Sequence, residues 1–168
     1  DARPIAGNAA LFEPLDVRLQ ALGGDERLLH AMAAAVLQFD SPISMFGQLR
    51  QDERGVDLKR GGIFPIVHGL RCLALKHGIT QRNSFARCEA LEQAGGLDAA
   101  LARDVAQTLA VLQRLRLDAQ LATLDAGGVP DNFLHPAALR RLDRELLRDA
   151  LRVVKAFQRH VAAVLHLN

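Results

Sequence analysis

The sequence predicts an all-α fold, a bundle of five or six helices in a single helical domain that covers residues 1–168. The chain is 49% hydrophobic but only 4% aromatic, and every aromatic residue is Phe, so Leu, Ala and Val must build the core; this favours helix over sheet. Apolar residues recur at three- and four-residue steps in the second half, as on the buried face of a helix. Gly-Gly pairs at 23–24, 61–62, 95–96 and 127–128 separate the apolar segments, because glycine readily ends or precedes a helix.

The first two helices are predicted before residue 40. A cap at Asn8 would start the first helix, which extends to about residue 22, although Pro14 would kink it unless the helix begins near Glu13. Asp25 caps the second helix, over 26–39. The next segment contains one proline and two glycines, and we expect at most a short β-hairpin there, within 45–58.

The third and fourth helices are shorter than the last two. The third covers 63–77 and has Pro65 in its first turn, where the missing N–H costs no hydrogen bond. The fourth covers 84–94, with Asn83 or Ser84 as its cap.

Two long helices, over 97–125 and 139–167, are predicted to lie antiparallel and form the spine of the bundle, because a loop of about a dozen residues joins them. Each has one apolar stripe. The stripe of the first consists of Leu101, Val105, Leu109, Leu112, Leu115, Ala119 and Ala122. The stripe of the second consists of Leu142, Leu146, Ala150, Val153, Phe157, Val161 and Val164.

Charge and cysteine content narrow the class of protein. The formal net charge of +2 is too small to indicate nucleic acid or a membrane surface as the partner. Cys72 and Cys88 are too few for a disulfide framework, so a reducing cytoplasm is the expected location. No apolar run approaches the roughly 20 residues of a membrane-spanning helix, and no signal peptide is recognisable.

The sequence lacks a complete catalytic constellation. Its six histidines form no HExxH motif and no cluster with cysteine at metal-binding spacing. It contains no GxSxG, no GxGxxG, no P-loop and no DxD pair that would hold two metal ions. We therefore expect no metal site and no cofactor in this chain, which by itself is not expected to be an enzyme.

The segment 57–71 is the strongest candidate for a binding site. Lys59 and Arg60 precede a helix start, where unpaired N–H groups and a partial positive charge favour anions. His68 and Arg71 follow one turn apart on one face of an otherwise apolar helix. A buried guanidinium needs a carboxylate, a phosphate or water. Arg71 therefore belongs either to an internal salt bridge or to a polar pocket for a phosphate-bearing ligand.

Three other polar features have an ordinary structural explanation as well. Arg116 and Gln120 lie one turn apart near the apolar stripe, so they either face a cavity between helices or extend to solvent. The loop PDNFLHP (130–136) is explained by turn formation through Asn and Asp. Residues 140–159 carry seven cations and three anions, 7 − 3 = +4, which indicates a solvated face more than an RNA-binding stripe.

Five pieces occur in an order that resembles one known family: DARPIAG (1–7), DLKRGGIFPIVHGLRCLAL (57–75), RLRLDAQ (114–120), PDN (130–132) and ALRRLDRELLRDALRVVKAFQ (138–158). The family is the nucleotidyltransferase substrate-binding domain of bacterial signalling proteins. The resemblance covers essentially the whole chain, and DLKR followed by proline is its most specific piece. In that family the domain follows a nucleotidyltransferase-like domain, often behind CBS-pair or cyclic-nucleotide-binding modules.

The resemblance implies that residues 1–7 are the tail of a preceding nucleotidyltransferase domain. In related enzymes a D-x-R-x-x-P-type strand supplies a third carboxylate beside the metal-binding DxD, and Asp1 would be that carboxylate. Mg²⁺ and a nucleoside triphosphate are then expected for the full-length protein, with its own N-terminal domain and a regulatory target protein as partners.

We therefore expect a substrate- or partner-binding domain that holds nucleotide phosphates or an acidic target against a catalytic domain. The residues expected to line its cleft are Lys59, Arg60, His68, Arg71, Arg116 and Gln120. The alternative is a non-catalytic structural adaptor that docks sensor domains or forms a homodimer, in which the same polar residues join helices.

Overall fold

The computed structural model describes residues 4–44, 48–50 and 52–167. This part of the chain forms the predicted all-α bundle. Its helices are α1 (Glu13–Ala21), α2 (Glu26–Leu37), α3 (Phe64–Lys76), α4 (Ser84–Gln93), α5 (Ala99–Asp125) and α6 (Arg141–Val164). A small antiparallel sheet joins β1 (Val56–Asp57) to β2 (Phe133–Leu134).

The helix starts follow from short polar side chains. Asp25 accepts a hydrogen bond from the backbone N–H of Leu28 at 3.0 Å, and Asn83 accepts those of Phe85 and Ala86, so both predicted caps are confirmed. Helix α1 begins at Glu13, the second of its two predicted starts, and this places its proline in the first turn.

The sheet connects segments that are far apart in sequence. Val56 pairs with Leu134 and Asp57 with Phe133, so the loop between α5 and α6 lies against the segment that precedes α3. Within 41–58, isolated antiparallel bridges pair Ile43 with Leu49 and position 52 with 55. Residues 45–47 and 51, which belong to the predicted hairpin, lie outside the described residues.

Helix α3 lies at the centre of the bundle, in contact with α2, α4 and α6. Gly69 allows α3 to approach α6 closely, because a Cβ at this position would lie 2.6 Å from Cε1 of Phe157 on α6. Helices α5 and α6 pack along their length, and Arg114 of α5 donates to Asp143 near the start of α6 at 3.1 Å.

The predicted stripe of α6 is wrong in its first two turns. Leu142 and Leu146 are 72% and 38% exposed, whereas Leu147 and Leu151 are fully buried. Both series reach Phe157 in steps of three or four residues, so periodicity alone does not distinguish them. Packing against the neighbouring helices selects the second series. On α5, Ala122 of the predicted stripe is likewise exposed.

Candidate functional site

Helix α3 is preceded by one π-helical turn, Lys59–Ile63. The side chain of Asp57 caps the start of this turn. The carboxylate Oδ1 of Asp57 accepts the backbone N–H groups of Lys59 at 3.0 Å and Arg60 at 2.9 Å. Both N–H groups are therefore satisfied within the chain. A ligand at this end would meet the side chains of Lys59 and Arg60, which are exposed, and not these two N–H groups.

These side chains border a cleft of about 330 Å³, which we call the ring cleft. It lies between the end of α2, the start of α3 and the loop that carries β2. Its lining residues are Phe39, Arg54, Asp57, Lys59, Arg60, Phe64, Asn132 and Phe133.

Two of the cations in the ring cleft lie over aromatic rings. The Cζ atom of Arg54 is 3.9 Å from the centroid of the Phe133 ring, and its Nη2 donates to Oδ2 of Asp131 at 3.1 Å. The Cζ atom of Arg60 is 5.6 Å from the centroid of Phe39. Cation–π contact restrains such long side chains, so the positive charges stay at the cleft.

Gln120 supports the loop beside the ring cleft. Its Nε2 donates to the carbonyl oxygen of Asp131 at 2.8 Å, and the carbonyl of Asn132 accepts the N–H of Leu58 at 3.0 Å. The loop is thereby joined to both α5 and the segment before α3. Arg116, one turn before Gln120, is half-buried and lines neither this cleft nor the one described below.

His68 joins α3 to α2. Its Nε2 lies 2.9 Å from the carbonyl oxygen of Met32, so this nitrogen carries the hydrogen that it donates. The imidazole stacks on Phe64 with ring centroids 5.2 Å apart and an interplanar angle of 9°. The polar group predicted on this apolar helix is thus hydrogen-bonded within the bundle.

Arg71 lines a second cleft, of about 300 Å³, which we call the arginine cleft. Two further arginines, Arg82 and Arg87, line the same space. Arg87 is only 3% exposed, and burial together with the charge of Arg71 lowers the pKa of its guanidinium. Arg71 and Arg87 each already have an interaction partner in the chain.

Arg82 and Arg87 were not among the predicted site residues, although the sequence around Arg87 carries the pattern that singled out Arg71. Leu70-Arg71-Cys72 and Ala86-Arg87-Cys88 are matching patterns, an arginine between apolar residues on a helix. The same argument that singled out Arg71 applies to Arg87, because a buried guanidinium needs a compensating group.

The six predicted site residues therefore do not all line one cleft. Lys59 and Arg60 lie at the ring cleft, before the start of α3, whereas Arg71 lies at the arginine cleft in the second half of α3. Asp1, the predicted third carboxylate, lies outside the described residues. In the described ranges no group of three or more His, Cys, Asp or Glu residues is arranged to hold a metal ion.

A family model described as "Putative nucleotidyltransferase substrate binding domain" matches residues 26–165, from the start of α2 to the end of α6. No curated protein and no solved structure matches the chain. None of the described helices is long and apolar enough to cross a membrane.

Proposed function

This chain belongs to the nucleotidyltransferase substrate-binding domain family, and we propose that it holds the phosphate groups of a nucleotide in the ring cleft. The observation that carries the proposal is the charge of that cleft. Arg54, Lys59 and Arg60 line it with Asp57, and Asp131 pairs with Arg54 at its edge, so three described cations stand against two carboxylates. Oδ1 of Asp57 accepts two backbone N–H groups and its Oδ2 lies 4.0 Å from Nε of Arg60, whereas no carboxylate pairs with Lys59 among the described ion pairs, so the excess of positive charge favours an anion.

The cleft also offers surfaces for the rest of a nucleotide. The guanidinium groups of Arg54 and Arg60 lie over the rings of Phe133 and Phe39, and a guanidinium or aromatic face stacks on a base whatever its identity. The side-chain amide of Asn132 has both donors and an acceptor for a base edge. These groups support a nucleotide as the ligand over an inorganic anion.

The catalytic groups are proposed to lie in another domain of the parent protein. A nucleotidyltransferase domain of the parent would supply the carboxylates and Mg²⁺ that phosphoryl chemistry requires, and this domain would hold the nucleotide or an acidic target protein against it. We place the parent among bacterial cytoplasmic signalling proteins, where CBS-pair modules would act as its sensors.

One observation favours the alternative, a structural adaptor. Leu117, Leu121 and Leu124 are 55%, 49% and 54% exposed and lie at helical spacing on the outer face of α5. Apolar residues in such a row can pack against another helix. An adaptor would self-associate or dock through this row without any need for the ring cleft.

Titration of the 168-residue chain with ATP and GTP, followed by calorimetry, tests the nucleotide proposal. We expect Lys59→Gln combined with Arg60→Gln to weaken binding by about tenfold or more, because two charge-assisted contacts are lost. The matched control is Arg103→Gln combined with Arg141→Gln, since these exposed arginines lie outside the ring cleft.

Two results would contradict the proposal. The first is the absence of nucleotide binding by the wild-type chain, and the second is equal weakening by the control pair, which would indicate only nonspecific charge attraction. A dimer in sedimentation equilibrium that Leu121→Asp dissociates, without nucleotide binding, would establish the adaptor instead.

A further inference from the structure

The arginine cleft combines two kinds of surface. Its apolar wall comes from α1, α2 and α3 and from the turns that follow α1 and α3, and consists of Leu19, Leu22, Leu28, Met32, Ala74, Leu75 and Ile79. Its polar groups are Asp16, Gln20, Thr80 and three arginines, Arg71, Arg82 and Arg87. Among the described lining residues three cations therefore stand against one carboxylate.

The cations lie at different depths. Arg87 is almost fully buried, Arg71 is half-buried and Arg82 is exposed. Burial and the proximity of Arg71 both lower the pKa of Arg87, so an anion beside the two guanidinium groups would relieve part of their repulsion. Because Arg71 and Arg87 already have partners within the chain, an incoming anion would share or exchange those contacts.

We propose that the arginine cleft binds a small amphiphilic organic acid, with its apolar body against Leu28, Met32 and Leu75 and its anionic head toward the arginines. The volume of about 300 Å³ is at the lower end of the range for small-molecule sites, and a mostly apolar lining with a few convergent polar groups is their usual composition. A nucleotide fits this space poorly, because with its phosphates at the arginines its polar sugar would lose water against leucine side chains.

This site is independent of the ring cleft. The two clefts have no lining residue in common and lie beside opposite ends of α3. A ligand in the arginine cleft would contact α1, α2, α3 and the segment before α4, so it would hold α1, which has no buried residue, against the rest of the bundle.

Octanoate is a suitable probe because it has an apolar body and one carboxylate. We expect calorimetry on the 168-residue chain to detect octanoate binding about tenfold or more tighter than binding of butanoate, which has the same head group, because burial of the added CH₂ groups is favourable. We also expect the affinity for octanoate to be about tenfold higher than that for 1-octanol, which lacks the charge.

Substitutions of the cleft arginines test whether octanoate binds in the arginine cleft. Arg71→Met and Arg82→Gln should each weaken octanoate binding by about tenfold, whereas Arg103→Gln on the outer face of α5 should leave it unchanged. Arg82 is exposed, so its variant remains informative if Arg71→Met does not fold. No saturable binding of octanoate, binding unaffected by Arg82→Gln, or equal binding of octanoate and 1-octanol would each overturn the proposal.

Discussion

Phe157 is the largest fully buried side chain among the described residues, and its ring lies in the space that Gly69 leaves open. We expect Phe157→Ala to lower the free energy of unfolding by about 3–5 kcal/mol, because the substitution leaves a cavity between α3 and α6. Urea denaturation measures this loss. The control is Leu142→Ala on the exposed face of the same helix, which should change stability by less than about 0.5 kcal/mol. A loss below about 1 kcal/mol for Phe157→Ala would contradict the packing described for this face.

The two cysteines are buried as thiols. Burial raises the pKa of both thiols to about 11, and Arg71 partly opposes the rise at Cys72 while Glu89 adds to it at Cys88. In the unfolded chain a thiol titrates near 8.5 to 9, so between about pH 9 and 11 the unfolded state binds fewer protons than the folded one. The contribution of the two thiols to the free energy of unfolding is fully present below pH 9 and is lost as the pH rises to about 11.

The measurable consequence is a falling free energy of unfolding in alkaline solution, by about 1.4 kcal/mol per pH unit for each thiol. Urea titrations at a series of pH values between 8 and 11 would show it. We expect the variant with Cys72→Ala and Cys88→Ala to have a shallower slope in that window. Identical slopes would show that other groups cause the decline.

At the scale of elements, the amide of Gln158 on α6 completes the carboxyl end of α2. Its Nε2 donates to the carbonyl oxygen of Val36 in the last turn of α2 at 2.8 Å, and to that of Phe39, two residues after the helix, at 2.9 Å. Because Gln158 is only 7% exposed, water does not readily replace it.

We expect Gln158→Leu to cost about 1–3 kcal/mol, since it leaves buried carbonyl groups without a donor. Thermal or urea denaturation measures the loss, and Gln107→Leu at an exposed position of α5 is the control. Hydrogen exchange should also accelerate in the last turn of α2. Unchanged stability would mean that these carbonyls find other donors.

At the scale of the whole molecule, we expect no nucleotidyl transfer by the 168-residue chain alone. Two-metal phosphoryl chemistry needs clustered carboxylates, and the described part of the chain holds no such group. The assay is incorporation of label from α-³²P-labelled ATP into the chain or an added acidic protein, with and without Mg²⁺. Incorporation that a chelator abolishes would contradict the expectation.

The sequence by itself determined what depends on near neighbours along the chain. Caps such as Asp25 and Asn83 bond N–H groups two or three residues away, and glycines at 95 and 127 adopt positive φ just after α4 and α5. Such local rules predicted the all-α class and the helix positions. They also placed the cations Lys59 and Arg60 at a helix start.

Only the tertiary structure decided what depends on residues far apart in sequence. Periodicity allowed two buried faces for the start of α6, and packing chose the one with Leu147 and Leu151. Pairing of β1 with β2 brings the α5–α6 loop to the ring cleft, and packing of α4 against α3 brings Arg87 to Arg71. Local sequence patterns do not determine these long-range contacts, because the contacts are selected by the burial of apolar surface summed over the whole bundle.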